Sequence, residues 1–470
     1  MNRKPLTYDS LKTVILYMDA NTRLLISSRI PSLHTTEQLV PLKIEELVIG
    51  QHKIGINQID YEYGIYLCKE GKEPWKVSGS SGLAFKWTCK VDEYGMRDYI
   101  TRAGGMLPGN NGRREENLFG EHDLTRIPTN TGRLRKLRQR IELEKQRRIQ
   151  LVNYRPKSDA ENITSSNYGN LLKFNTSRQK FKGKYTKKNL ELLENKLIVE
   201  LAISQVDHRI KEMENEIVLF ENTKNNIRPK FEIHLTKGQK YYKVTVLERV
   251  NYDRDIHKAG NSLMKFIFSK RPLIQVNKLV FPRGCLTKIP GFLLYKLKIK
   301  NLDVTENVPD KLELAKLVTN KSSVPMEKLT MHILSNENPE MDYAFMNQFK
   351  VLEVEGIALL KLRFMESLQN QKVLFQMNLC VFLDFGDFIS LIKNWVETNK
   401  PIGTCFTFFH WYTDEEKLIK IMNRVKHQID GAIAGDKYVD IPMNNGTVTR
   451  VSNEQSEGEM WIQMEVVPFE

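Results

Sequence analysis

The sequence has no long apolar run. Its hydrophobic stretches fall well short of the roughly 20 residues that a membrane-spanning helix needs. The N-terminus, MNRKPLTYDSLKTVILYMDANT, lacks a signal-peptide core, because Val14, Ile15 and Leu16 are soon followed by Asp19 and Arg23. Cysteine is scarce: Cys68, Cys89, Cys285, Cys380 and Cys405 are odd in number and far apart, and no pair has C-x-x-C spacing. Such usage argues against a disulfide framework and for reduced thiols, hence a cytoplasmic or nuclear chain with no membrane partner.

Catalytic signatures are missing too. The chain has no Walker A loop, no G-x-S-x-G elbow, no H-E-x-x-H pair and no Rossmann fingerprint. Asp384-Phe385-Gly386 spells the kinase metal-binding triplet, but the glycine-rich loop, strand lysine and H-R-D loop that should precede it are not there. The nine histidines are scattered, and none stands at ligand spacing from another His or a Cys. The expectation is therefore a binding or scaffold protein, not an enzyme, with no cofactor, no metal and no catalytic residue.

What the chain does have is enough apolar content, 41% of 470 residues, to build real cores in two or three domains. It also has a localised charge. Residues 124–190 hold 18 Lys/Arg against four acids, an excess equal to the whole net charge of +14. A helix over 131–152 carries Arg133, Arg135, Lys136, Arg138, Arg140, Arg147 and Arg148 around an apolar line of Leu134, Leu137 and Ile141. Nucleic acid or another polyanion is a possible partner for this basic patch, since dense cations release counterions from phosphate backbones; a solvated connector is the plainer reading.

Four segments emerge. Residues 1–38 read as short helices, with Leu11, Val14, Ile15 and Met18 at helical spacing. Residues 39–122 begin with alternating strands (Leu42, Ile44, Leu47, Ile49) and continue into loops. Residues 123–227 comprise the basic helix, a disordered linker over 153–186, and a coiled-coil-like helix over 188–222, where Leu190, Leu193, Leu197, Val206, Ile210, Met213, Ile217 and Phe220 form a seam open to docking or self-association. Residues 228–470 alternate strand and helix. Strands are expected at Tyr242–Leu247, Val276–Phe281, Leu294–Ile299, Leu329–Ile333, Val351–Val354, Val373–Leu379 and Ile402–Phe408, with Lys296-Leu297-Lys298-Ile299-Lys300 placing apolar residues inward and lysines outward. Anchors at Leu279, Leu297, Leu329, Leu352 and Met377 suggest a repeat. The fold class is α/β (α+β overall): a small helical and β-rich start, central helices, and a C-terminal region resembling an irregular leucine-rich-repeat-like solenoid, with an open mixed sheet as the competitor.

Several short segments, in order, resemble the nematode-expanded F-box C family. They are Pro5-Leu6-Thr7-Tyr8-Asp9-Ser10-Leu11-Lys12, Ser28-Arg29-Ile30-Pro31-Ser32, Val40-Pro41-Leu42-Lys43-Ile44, Asp92-Glu93-Tyr94-Gly95, Leu107-Pro108-Gly109, Asn153-Tyr154-Arg155-Pro156, and Trp395 with Ile402-Gly403-Thr404. The resemblance implies a substrate adaptor of a cullin–RING ubiquitin ligase. Pro5, Leu6, Leu11, Ile15, Leu16 and Met18 would then contact a Skp-type linker subunit, and a downstream domain would hold a protein substrate. The start departs from the usual F-box in reading Pro-Leu, in lacking the later tryptophan stretch, and in meeting Pro31 early.

Overall fold

The computed structural model describes residues 7–50, 52–71, 73–77, 91–96, 130–156, 169–175, 183–239, 244–282, 285, 296–333, 341–356, 361–377, 382–383, 386–410, 415–456 and 459–469. In chain order the elements are α1 (Tyr8–Tyr17), α2 (Ala20–Arg29), α3 (Pro31–Gln38), β1 (Leu42–Gly50), β2 (Lys53–Ile56), β3 (Ile59–Cys68) and β4 (Trp75–Lys76). Then come α4 (Asn130–Asn153), α5 (Lys187–Glu191), α6 (Lys196–Lys224), β5 (Lys230–Gln239), β6 (Thr245–Asn251) and α7 (His257–Phe268). The C-terminal part holds β7 (Ile274–Phe281), β8 (Leu297–Thr305), α8 (Val308–Val318), β9 (Met326–Ile333), α9 (Tyr343–Met346), β10 (Phe349–Gly356), α10 (Leu362–Glu366) and β11 (Lys372–Met377). It ends with α11 (Asp387–Thr398), β12 (Cys405–His410), α12 (Glu415–Gln428), β13 (Ile433–Ala434), β14 (Tyr438–Pro442), β15 (Thr447–Ser456) and β16 (Glu459–Pro468). The chain is mixed α/β. It divides into two compact units: residues 1–62, 237–245 and 260–470, and residues 63–236 with 246–259. Among the described residues no helix is long and apolar enough to cross a membrane.

The first unit is built on one sheet, ordered β13-β14-β15-β16-β12-β11-β10-β9-β8-β7-β1-β2. Strands β1 and β7 to β12 run parallel, and antiparallel strands flank them at both ends. From β7 to β12 each strand lies beside its predecessor in the chain, and from β8 onward the sheet advances one strand per helical crossover. This is the step of a strand–helix solenoid laid into an open sheet. A doubly wound sheet would instead reverse its order at a switch point and open a crevice there.

The register explains the stacking. Leu47, Leu279, Leu302, Leu329, Leu352, Val373, Phe406 and Met464 lie side by side on successive strands, all essentially inaccessible to solvent. A second row joins Phe281, Val304, Met331, Val354, Phe375, Phe408 and Ile462. Helices cover this face. In α11, Phe388, Leu391, Ile392 and Trp395 recur at helical spacing and are buried, and Trp395 meets Phe406 edge-on at 4.8 Å. Buried polar side chains stitch the turns: Asn370 donates to the carbonyls of Met346 and Phe349, and Ser323 accepts from the Ile299 amide. The expected anchors Leu297 and Met377 lie off the main row, which instead uses Leu302 and Val373.

Helices α1 to α3 belong to this unit. Thr7 caps α1 and Asp19 caps α2 through their side-chain oxygens. Asn21 donates to the Ile56 carbonyl and accepts from the Tyr61 hydroxyl, fixing α2 to β2 and to the start of β3.

In the second unit α4 and α6 pack antiparallel. Arg148 meets Asp207 at 2.5 Å, Lys145 meets Glu214 at 3.2 Å and Arg138 reaches Glu221 at 3.9 Å, so one helix descends as the other rises. The expected single helix over 188–222 is two, α5 and α6, the second capped by Asn195. Its seam residues Val206, Ile210, Met213 and Phe220 are buried inside the chain. The expected linker over 153–186 contributes Leu171, Phe174 and Tyr185 to a core with Leu193, Ile198 and Val206; tyrosine and phenylalanine supply the apolar area that a short polar-looking stretch conceals.

Candidate functional site

Strand residues that point away from the helices form an open, polar face on the first unit. Asp303 of β8 accepts Lys278 at 2.8 Å and faces His332 at 3.3 Å; the other His332 nitrogen lies 3.0 Å from Glu355. Glu353 takes Lys328 at 2.5 Å, the Thr330 hydroxyl at 3.0 Å and the Gln376 amide at 3.0 Å. Burial alone would lower the Lys278 pKa, but the hydrogen bond and charge of Asp303 outweigh it and the ammonium is held above its ordinary value. Asp303 and Glu353 are thus hubs of a cross-strand network that fixes the side chains of this face.

At one end of the same face, the starts of β1, β7 and β8 border a groove of about 540 Å³. Lys43, Lys298 and Lys300 rim it, the turn Ser322-Ser323-Val324-Pro325 walls it, and Glu45 is its one acid. Glu45 accepts from Asn277 at 3.3 Å. All three lysines are exposed, and none has an ion-pair partner among the described residues. Three exposed ammonium groups beside a fixed polar face can attract anionic groups.

The structure places the N-terminal residues differently from the periodicity. Ile15 is buried, and Leu11, Leu16 and Met18 are half-buried. The outward face of α1 instead shows Tyr8, Val14 and Tyr17, the last 82% exposed, with the Lys12 ammonium 4.0 Å over the Tyr8 ring. Pro5 and Leu6 lie outside the described residues, as do Asp384 and Phe385.

Part of the basic patch is engaged in ion pairs. Arg147 is buried, donates to Glu144 at 2.6 Å and to the Gly183 carbonyl, and lies over the Tyr185 ring. Arg148 and Arg138 belong to the ion pairs along α6. Arg140 is half-buried and Arg135 exposed, while the side chains of Arg133 and Lys136 lie outside the described residues. The α6 acids pair with Arg138, Lys145 and Arg148.

Sequence reasoning found the outward lysines through the 296–300 alternation. It missed the Asp303–His332–Glu355 row, because its members sit on three strands and only the register brings them together.

Residues 255–409 match a family model, the domain of unknown function DUF3557. The match runs from just before α7 into β12. It takes in Lys298, Lys300, Asp303 and Glu353, but neither β1 nor the N-terminal helices. No curated protein and no solved structure matches the chain.

Proposed function

We propose that the chain is a non-catalytic interaction adaptor that holds an acidic segment of a partner protein on the open face of its parallel sheet. The observation that carries this reading is the lysine-rimmed groove of Lys43, Lys298 and Lys300 beside a face on which Asp303 and Glu353 hold Lys278 and Lys328 in ion pairs. Rigid paired neighbours lower the ordering cost of binding, and three exposed cations select for charge.

The resemblance to F-box proteins supplies the second half of the proposal. The N-terminal helices would carry a Skp-type linker subunit and so a cullin–RING ligase, with the groove presenting the substrate. Since Ile15 is buried, the linker would meet Tyr8, Val14 and Tyr17. Co-purification of the full chain with linker and cullin subunits tests this. Val14→Asp with Tyr17→Asp should abolish recovery, while Lys298→Glu with Lys300→Glu should leave it intact. Equal recovery by wild type and the α1 variant would remove the ligase reading.

A further inference from the structure

The second unit contains a cluster that the adaptor reading does not use. Cys68 ends β3, and Glu232 and His234 lie two apart on β5, so both β5 side chains project from the same face of their strand. The strand period likewise puts Tyr66 and Cys68 on one face of β3. Tyr66 stacks on the His234 ring at 4.3 Å and 12°, which brings the two faces together. One sulfur, one imidazole nitrogen and one carboxylate oxygen lie within 4.8 Å of one another, the only such set among the described residues.

We propose that Cys68, Glu232 and His234 bind a borderline divalent transition metal of the zinc class. Thiolate, imidazole and carboxylate are the donor types that such an ion takes, at bond lengths of roughly 2.0–2.3 Å. Ligand atoms of a tetrahedral site stand roughly 3–4 Å apart at those lengths, so small side-chain rotations close this cluster around an ion. His234 Nε2 is already 3.1 Å from Glu232 Oε2. The His234 ring is buried and clamped by Tyr66, so one ligand is oriented before binding. The Lys230 ammonium sits 2.7 Å from Glu232 and neutralises it. Lys230 is 63% exposed and free to swing into solvent, which makes it a competitor the ion displaces. Binding releases the Cys68 thiol proton to buffer, with no change of oxidation state. Three protein ligands leave the fourth position to water. The distance of Cys68 from His234 in the chain hides the site from any spacing motif.

The test is titration of the chelator-treated full chain with Co²⁺ alone, then with Zn²⁺ as displacer. The expected result is saturation near about one equivalent, with a sulfur-to-cobalt charge-transfer band that Zn²⁺ removes. Cys68→Ser should lose that band, His234→Gln should weaken binding at least about tenfold, and Lys230→Met should tighten it. Thermal melts establish that each variant is folded; Cys68→Ser, a near-isosteric change at a half-buried position, keeps the test decisive if His234→Gln does not fold. No saturable binding, a band that survives Cys68→Ser, or an affinity unmoved by Lys230→Met would overturn the proposal.

Discussion

Arg271 grips Glu37 with both arms of its guanidinium: Nη1 lies 2.7 Å from Oε1 and Nη2 2.8 Å from Oε2. Arg23 of α2 approaches the same carboxylate at 2.9 Å, and all three side chains are at most 3% exposed. Two buried cations around one anion are tolerable because backbone carbonyls take up the remaining donors. Arg23 donates to Pro41, Glu37 and Val40, and Arg271 to Ile267. This triad ties α2 and α3 to the chain just before β7, and so fixes the base of the N-terminal helices.

Glu37→Gln should therefore cost about 3–5 kcal/mol, because it strands two buried guanidinium groups. Replacing Arg23, Glu37 and Arg271 together by Met, Leu and Met should cost less than the single change. Urea unfolding followed by circular dichroism measures both. A Glu37→Gln variant as stable as wild type would mean that the triad does not hold the helices.

Gly356 ends β10 with φ +138°, and a Cβ there would clash with the Ile333 carbonyl oxygen on β9. Gly356→Ala should cost about 3 kcal/mol or more, or prevent folding, since strain and clash act together. Gly386 has φ −56° and open space around its Cβ direction, so Gly386→Ala should cost about 0.5 kcal/mol at most. Thermal melts of the two variants compare them directly.

Glu144 gives the second unit an acid-sensitive joint. Burial would raise its pKa, but Arg209 and Arg147 outweigh burial and hold the carboxyl below its ordinary value. A depressed folded-state pKa stabilises above the unfolded value and is lost as pH falls through the folded one. Wild type should lose stability from about pH 4.5 downward more steeply than Glu144→Gln. The variant should be weaker at pH 7 and flatter in acid. Melting temperatures across pH 3–7 decide it, and parallel curves would show that Glu144 does not contribute.

The groove predicts a charge preference. In a binding screen of short acidic, neutral and basic peptides, the full chain should retain acidic sequences, with affinity falling as salt rises. Lys43→Glu with Lys298→Glu and Lys300→Glu should remove that preference. Retention that ignores peptide charge would contradict the groove as a docking site.

Much of the first unit was legible because its parallel strands bury one face and alternate apolar with polar residues. The anchors slipped where the alternation breaks. In β8, buried Leu297 and Ile299 are followed by Leu302 and Val304, so the inward phase shifts by one residue midway, and Leu297 falls out of the row that Leu302 joins. Strands β14 to β16 went unread. Val448, Val451, Ile462, Met464 and Val466 are buried there, but Asn453, Glu454 and Gln455 dilute the pattern. The α1 periodicity mixed two faces: Ile15 is buried, Leu11 and Met18 are half-buried, and Val14 is 41% exposed. The basic segment read as a solvated connector or polyanion site because Asp207, Glu214 and Glu221, which pair with Arg148, Lys145 and Arg138, lie on a separate helix. Charge counted along a chain says little about charge left over after folding.

The most direct test of the adaptor reading is calorimetric titration of the full chain with a purified Skp-type linker subunit, repeated with Val14→Asp and Tyr17→Asp together. The account predicts saturable one-to-one binding by wild type, and at least about tenfold weaker binding by the variant at unchanged thermal stability. No heat of binding from wild type, or equal affinity in the variant, would contradict it.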